Sequence, residues 1–263
     1  MISFFVNSNH VIQALLATLF TWFVTAIGAA MVFLFKKVNK TVMDMMLAFA
    51  GGVMISASFW SLLLPALEMA TNLKINECLS VLLGFLCGGI FLYIGDKIFS
   101  VASKKSENKK IKRCLLLIFS ITLHNIPEGL AVGVAFGSLK YGLEGASLIS
   151  AILLAIGIGL QNFPEGASVS IPLRREGMSR SKSFFYGQLS AVVEPIAGIV
   201  GALLVLKIRV LLPFLLSFAA GAMIYVVALE IIPESQTNKK KDLMALFTII
   251  GFCVMMVLDI TLG

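Results

Sequence analysis

The sequence is short of charge. Asp, Glu, Lys and Arg make up 13% of its 263 residues, about half of the ~25% usual in soluble domains. Hydrophobic residues make up 59% and the mean hydropathy is +0.97. A chain so poor in charge cannot clothe a globular surface, and it reads as an integral membrane protein. Cysteine is also scarce: Cys78, Cys87, Cys114 and Cys253 include no CxxC pair, which excludes a disulfide framework and a thiolate metal site. They read as small buried hydrophobes. Only two histidines occur, His10 and His124. There is therefore no HExxH pair for an intramembrane metalloprotease and no histidine placed to activate a serine, so the chain reads as a protein that is not an enzyme. The net charge of +7 and the pI near 9.3 do not signal nucleic acid. The basic residues fall in short loops between apolar runs, the pattern that controls membrane topology.

Eight apolar runs follow one another, at about 10–35, 43–70, 78–100, 114–138, 145–173, 183–206, 210–233 and 243–262. Each reaches the ~20 residues needed to cross ~30 Å of hydrocarbon. The expected fold is an all-α integral membrane protein of eight transmembrane helices, a single transmembrane domain over 1–263. The first run is long and has no basic residue ahead of it, so it reads as a retained helix and not a cleaved signal. Lys36, Lys37 and Lys40 follow the first run, and Lys97, Lys104, Lys105, Lys109, Lys110, Lys112 and Arg113 cluster around the end of the third. Arg174, Arg175, Arg180 and Lys182 follow the fifth, and Lys239, Lys240 and Lys241 the seventh. The opposite side holds only Lys74, Lys140, Lys207 and Arg209. Positive-inside places both termini outside the cytoplasm of a cell (inner or plasma) membrane. The lysine-rich stretch about 101–113 is expected to be a flexible cytoplasmic loop touching anionic lipid head groups.

Polar residues inside the runs are few and organised. His124-Asn-Ile-Pro-Glu-Gly129 in the fourth run and Gln161-Asn-Phe-Pro-Glu-Gly166 in the fifth repeat the same order, and Ala and Val recur downstream. Positions i and i+4 share a helix face, so His124 stands one turn from Glu128, and Gln161 one turn from Glu165, with Asn125 and Asn162 beside them. Pro127 and Pro164 each leave the carbonyl one turn earlier without its N–H partner, so kinks and free carbonyls are expected. The two copies lie on helices of opposite direction and form an inverted repeat of the kind that builds midplane sites in carriers.

Glu194, followed by Pro195, adds a carboxylate in the middle of the sixth run. Glu128, Glu165 and Glu194 have no Lys or Arg at their depth, and each such charge costs several kcal/mol unless it is compensated. A divalent cation compensates most of this charge, with protons as substitutes when it leaves. Imidazole, carboxylate and amide oxygen together suit zinc, iron(II), manganese or cadmium better than calcium. Glu68, after Pro65 near the outer end of the second run, and Glu230, near the inner end of the seventh, are candidate pathway residues. Asp96 and Asp259 lie near span ends and are expected at the interface.

The paired HNxPEG motif, the Glu-Pro of the sixth run and eight spans resemble the ZIP (Zrt/Irt-like protein) metal transporters over the whole chain, in particular their bacterial GufA-like branch. The resemblance implies uptake of divalent transition metals into the cytoplasm through a binuclear site. It implies His124, Asn125, Glu128, Gln161, Asn162, Glu165 and Glu194 as ligands, with Glu128 and Glu165 bridging the ions and Met54 as a soft ligand. It further implies a homodimer, with helices one, four, five and six sliding against two, three, seven and eight, the ions as cargo and no cofactor. Two features depart from the common pattern. Gln161 stands where many members carry histidine, and lysines replace a histidine-rich loop between helices three and four.

A proton- or sodium-coupled carrier of another substrate could use the same buried carboxylates and is the rival reading. Gly129, Gly133 and Gly137 recur every four residues and offer a smooth face suited to sliding or to tight contact with helix five, whereas Gly84 and Gly88 read as static packing.

Overall fold

Backbone amides have no water to bond in hydrocarbon, so long apolar runs must satisfy them internally as helices. In the computed structural model, which describes residues 2–34, 39–103, 109–142 and 146–262, helices form every long element and no strand occurs among the described residues. A short helix, Ile2–Asn7, precedes α1 (His10–Leu34), α2 (Lys40–Asn72), α3 (Glu77–Ser103), α4 (Lys109–Ser138) and α5 (Leu148–Arg175). Then come α6 (Arg180–Lys207), α7 (Leu212–Ser235) and α8 (Lys241–Leu262). Among the described residues seven of these, all but α4, are long and apolar enough to cross a membrane.

Caps start the helices as their residue types dictate. The side chains of Asn39, Ser147 and Ser179 accept hydrogen bonds from the backbone N–H groups of Thr41, Ser150 and Lys182. Gly177, at φ 101°, takes the left-handed turn after α5 that a side chain would strain. The helices overrun the runs read from hydropathy, because backbone hydrogen bonding continues where the side chains are no longer apolar. α3 reaches Ser103 and α4 begins at Lys109, so the expected loop over 101–113 is helical at both ends. Its middle, 104–108, lies outside the described residues, as do Lys36 and Lys37 of the first basic loop.

Glycines decide which helices touch. A Cβ at Gly28 would stand 1.9 Å from the Phe163 carbonyl oxygen and one at Gly166 2.1 Å from that of Thr25, so α1 and α5 meet backbone to backbone. A Cβ at Gly133 would lie 2.1 Å from the Gly198 oxygen and one at Gly201 2.8 Å from that of Leu130, joining α4 to α6. Gly52 and Gly251 join α2 to α8 in the same way, and Gly88 and Gly221 join α3 to α7. The glycine face of α4 therefore packs against α6. This corrects the expected contact with helix five, because the ligand face of α4 turns to α5 and leaves the small residues for the neighbour on the other side.

These approaches pair α1 with α5, α4 with α6, α2 with α8 and α3 with α7. Contacts between pairs run through side chains, as where Thr18 meets Gly198, Ile231 meets Gly51, Leu123 meets Gly95 and Met255 meets Gly157. α2 and α5 are central, each 61% buried, while α3 and α8, at 17%, present apolar faces outward.

A second repeat, not apparent from the runs alone, links α2 and α7. Leu47-Ala-Phe-Ala-Gly-Gly-Val-Met54 parallels Leu216-Ser-Phe-Ala-Ala-Gly-Ala-Met223. Each stretch leads into a wide π-helical turn, Ser58–Leu63 or Val227–Ile231, with Pro65 or Pro233 shortly after. Proline cannot donate to the carbonyl four residues back, and the wider turn absorbs the misfit. From the first of these turns the Ser61 hydroxyl donates to Asp259 Oδ1 at 2.8 Å, so Asp259 is tied to α2 and is not a free interfacial group.

Candidate metal centre

The motif helices α4 and α5 run on through Pro127 and Pro164 without a break. The break falls in α6 instead. Pro195 supplies no N–H, and the Glu194 N–H turns back to the Ala191 carbonyl at 3.0 Å, so the helix ends at Leu189 and restarts at Val193. This frees the Ser190 carbonyl, which accepts the Asn125 Nδ2–H at 2.9 Å. One motif residue of α4 thereby holds the broken point of α6, and the break sets Glu194 in the first turn of the second half-helix.

The seven expected nitrogen and oxygen ligands enter one polar core and are between 0% and 5% exposed. Gln161 Nε2 donates to Glu128 Oε1 at 2.6 Å, linking α5 to α4. Asn162 Nδ2 donates to both oxygens of Glu194, at 3.0 and 3.1 Å, linking α5 to α6. α1 enters as well: the Thr21 hydroxyl donates to Glu194 Oε2, and the Thr21 carbonyl accepts from Asn162 Nδ2 at 3.3 Å.

After these bonds, five buried atoms of these seven residues have no hydrogen-bond partner: His124 Nε2, Glu128 Oε2, Gln161 Oε1, Asn162 Oδ1 and Glu165 Oε1. A buried acceptor without a partner costs about 1–3 kcal/mol, and a charged one more. Oxygen and imidazole-nitrogen lone pairs are what a divalent transition metal binds, so the cluster has the donor chemistry for one. Among the described residues no group of three His, Cys, Asp or Glu could hold an ion by itself. The amide N–H groups of Gln161 and Asn162 bridge to Glu128 and Glu194, and their oxygens add to the lone pairs of the cluster.

Two carboxylates extend the cluster. Glu230, carried by the π-helical turn of α7, brings Oε1 to 3.6 Å from His124 Nε2, so the residue read as a pathway candidate touches the cluster. Asp96 accepts a hydrogen bond from Tyr225 and feels the charges of both Glu230 and His124. It faces the neighbouring helix, because α3 packs closely against α7. Met54 is fully buried and Glu68 half-buried, and no hydrogen bond or ion pair among the described residues links either side chain to the cluster. Thr21 was not singled out by sequence. The available signal was the spacing of Thr18, Thr21 and Thr25 along one face of an otherwise apolar helix.

A multi-pass helical chain that buries carboxylates, amides and one imidazole between broken and unbroken helices has the make-up of a membrane transporter. Residues 105–259 match the family described as ZIP Zinc transporter. Zinc transporter ZIP11 of Homo sapiens is 39% identical, over 97% of this chain and 98% of its own length. Zinc transporter GufA of Myxococcus xanthus is 34% identical over 95% and 98%, and Zinc transporter ZIPB of Bordetella bronchiseptica 33% over 98% and 84%. The chain belongs to the ZIP family.

Proposed function

We propose that this protein carries divalent transition-metal ions, zinc foremost, into the cytoplasm through two adjacent sites within the membrane. The observation that carries this reading is the set of partnerless buried donors on α4 and α5. They belong to residue types that match a borderline cation and lie at the depth where an unmatched carboxylate is most costly. His124, Asn125 and Glu128 contribute from α4, Gln161, Asn162 and Glu165 from α5, and Glu194 from α6. Glu128 and Glu165 bridge the pair of ions. Iron(II), manganese and cadmium are further cargo of the same donor chemistry, and the names of the relatives support zinc. Glu230 and Asp96 take the ion on the cytoplasmic side.

In this reading α4 is the eighth span, both termini lie outside the cytoplasm, and the protein works as a homodimer surrounded by lipid. In the same reading α1, α4, α5 and α6 slide against α2, α3, α7 and α8. Each tight glycine pair lies within one of these groups and would resist shear, whereas side-chain contacts between the groups, as of Leu123 with Gly95 and Met255 with Gly157, can be exchanged. Zinc, manganese, iron(II) and cadmium competing for uptake into proteoliposomes test the proposal; vesicles that accumulate none of them refute it.

Two expected results follow from the donor set. Zinc flux falls as the external pH is lowered below neutral, because protons compete for the carboxylates and imidazole that must be deprotonated to bind. A flux that rises steadily instead, with metal speciation controlled, favours proton-driven import. Gln161→His exchanges a hard amide oxygen for imidazole, which binds zinc more strongly relative to manganese. Its half-saturation constant for zinc drops more than that for manganese, with an equal or lower maximal rate. An unchanged ratio of the two constants in an active variant limits Gln161 to its hydrogen bond with Glu128.

A further inference from the structure

The first helix carries none of the paired motif, yet one of its residues touches two of the ligands. Thr21 lies on α1 and is 0% exposed. Its hydroxyl reaches Glu194 Oε2 on α6 and also stands 3.0 Å from the Thr18 carbonyl, while its own carbonyl accepts from Asn162 Nδ2 on α5 at 3.3 Å. The neighbouring threonines behave differently. Thr18 Oγ1 bonds the Ala14 and Leu15 carbonyls, and Thr25 Oγ1 bonds the Thr21 carbonyl, all within α1. Only Thr21 among these three sends its hydroxyl out of its own helix.

The consequence for the amide of Asn162 is directional. Nδ2 is taken up by Glu194 and by the Thr21 carbonyl, so Oδ1 is turned the other way, where it is buried without a partner. The carboxylate of Glu194 is similarly constrained, with Oε2 held by Thr21 and both oxygens held by Asn162. We infer that Thr21 is a positioning residue for the metal subsite built from Asn162 and Glu194, its hydroxyl aiming the carboxylate and its carbonyl aiming the amide oxygen. It holds these two ligands at one orientation from outside the shell, the arrangement by which outer partners commonly change metal affinity about 10–100-fold. Just C-terminal to this point on both helices, α1 and α5 meet at two glycine contacts, between Gly28 and Phe163 and between Gly166 and Thr25, which gives the rigid support such a device needs.

The inference rests on the metal-transport reading of the cluster, and the test separates the two. The full-length protein is purified in detergent, zinc affinity is measured by calorimetric titration, and uptake is measured in proteoliposomes. Thr21→Val keeps the shape and the carbonyl and removes only the hydroxyl. It is expected to weaken zinc binding and to raise the half-saturation constant for uptake about 10-fold or more, with a smaller effect on maximal rate. Thr21→Ser, which restores the hydroxyl, returns both values toward wild type. Thr18→Val, which deletes a neighbouring hydroxyl bonded only within α1, leaves them unchanged. In a Glu194→Ala background the Thr21→Val change has no further effect on the remaining affinity, as expected of two groups acting as a unit.

Equal zinc affinity in Thr21→Val and wild type overturns the inference while leaving the transport reading intact. So does failure of Thr21→Ser to rescue, or an equal loss in Thr18→Val, either of which marks a packing effect. Should Thr21→Val not accumulate, Thr21→Ala is measured in its place. Loss of folded protein in both variants while Thr21→Ser folds but binds zinc no better than Thr18→Val assigns the hydroxyl to folding, and again overturns it. Absence of saturable zinc binding by the wild type removes the metal site itself, and the inference with it.

Discussion

Glu128→Ala and Glu165→Ala abolish zinc uptake while the protein still reaches the membrane folded. Both carboxylates are buried between α4 and α5, and each keeps one oxygen without a hydrogen-bond partner. Outer-shell partners alone are worth about 10–100-fold in metal affinity, so deleting a direct anionic ligand is expected to cost more than that and to leave flux at background. Folding responds in the opposite direction. Glu128, Glu165 and Glu194 share one core with no Lys or Arg at their depth, and removing one relieves like-charge repulsion and a desolvation cost in the metal-free protein. The metal-free variants therefore unfold at the same or a higher temperature than wild type, and added zinc shifts their unfolding less. Uptake by a well-expressed Glu128→Ala protein at the wild-type rate would sink the shared-site mechanism. Loss of folded protein would show that the carboxylate is structural.

Gly133→Val prevents assembly of the helix group that carries the site. A Cβ at this position would lie 2.1 Å from the Gly198 carbonyl oxygen and 2.8 Å from its Cα. Neither neighbour is a side chain that can turn away, so α4 and α6 must separate. Overpacking of a close-packed interior costs about 1–3 kcal/mol even where side chains can adjust, and here backbone has to move. Separation of the two helices also takes Asn125 from the Ser190 carbonyl and so releases the break that sets Glu194. The expected result is little folded protein in detergent and no zinc uptake. Gly89→Ala serves as the comparison, because its nearest outside atom is the Gly221 oxygen at an ordinary 3.8 Å. That variant folds and transports. Normal thermal stability of Gly133→Val would show that α4 and α6 are not packed backbone to backbone in the membrane.

Much of the site was legible in the sequence because a polar residue in an apolar run is costly and therefore informative. His124, Glu128, Glu165 and Glu194 stood out for this reason, and helical spacing alone grouped each motif on one face. Glu230 and Asp96 were harder to place. Both sit near span ends, where a carboxylate can as well be solvated, and nothing local says that the α7 π-helical turn carries Glu230 to His124. Thr21 was invisible for a different reason. A threonine in a helix commonly bonds its own backbone, as Thr18 and Thr25 do, and only the neighbour across the interface shows which hydroxyl turns outward.

The sequence by itself determined the class of protein, the existence of a buried polar cluster and the residues on α4 and α5 that enter it. These follow from hydropathy, charge and helical period, which are local properties. Tertiary structure decided that the break lies in α6 and not in the motif helices, that the glycines of α4 face α6, and that α1 and α7 reach the cluster. Those outcomes depend on which backbones approach one another and which hydrogen-bond donors find acceptors across an interface. Such choices are made between segments far apart in the chain, and no periodicity within one segment encodes them.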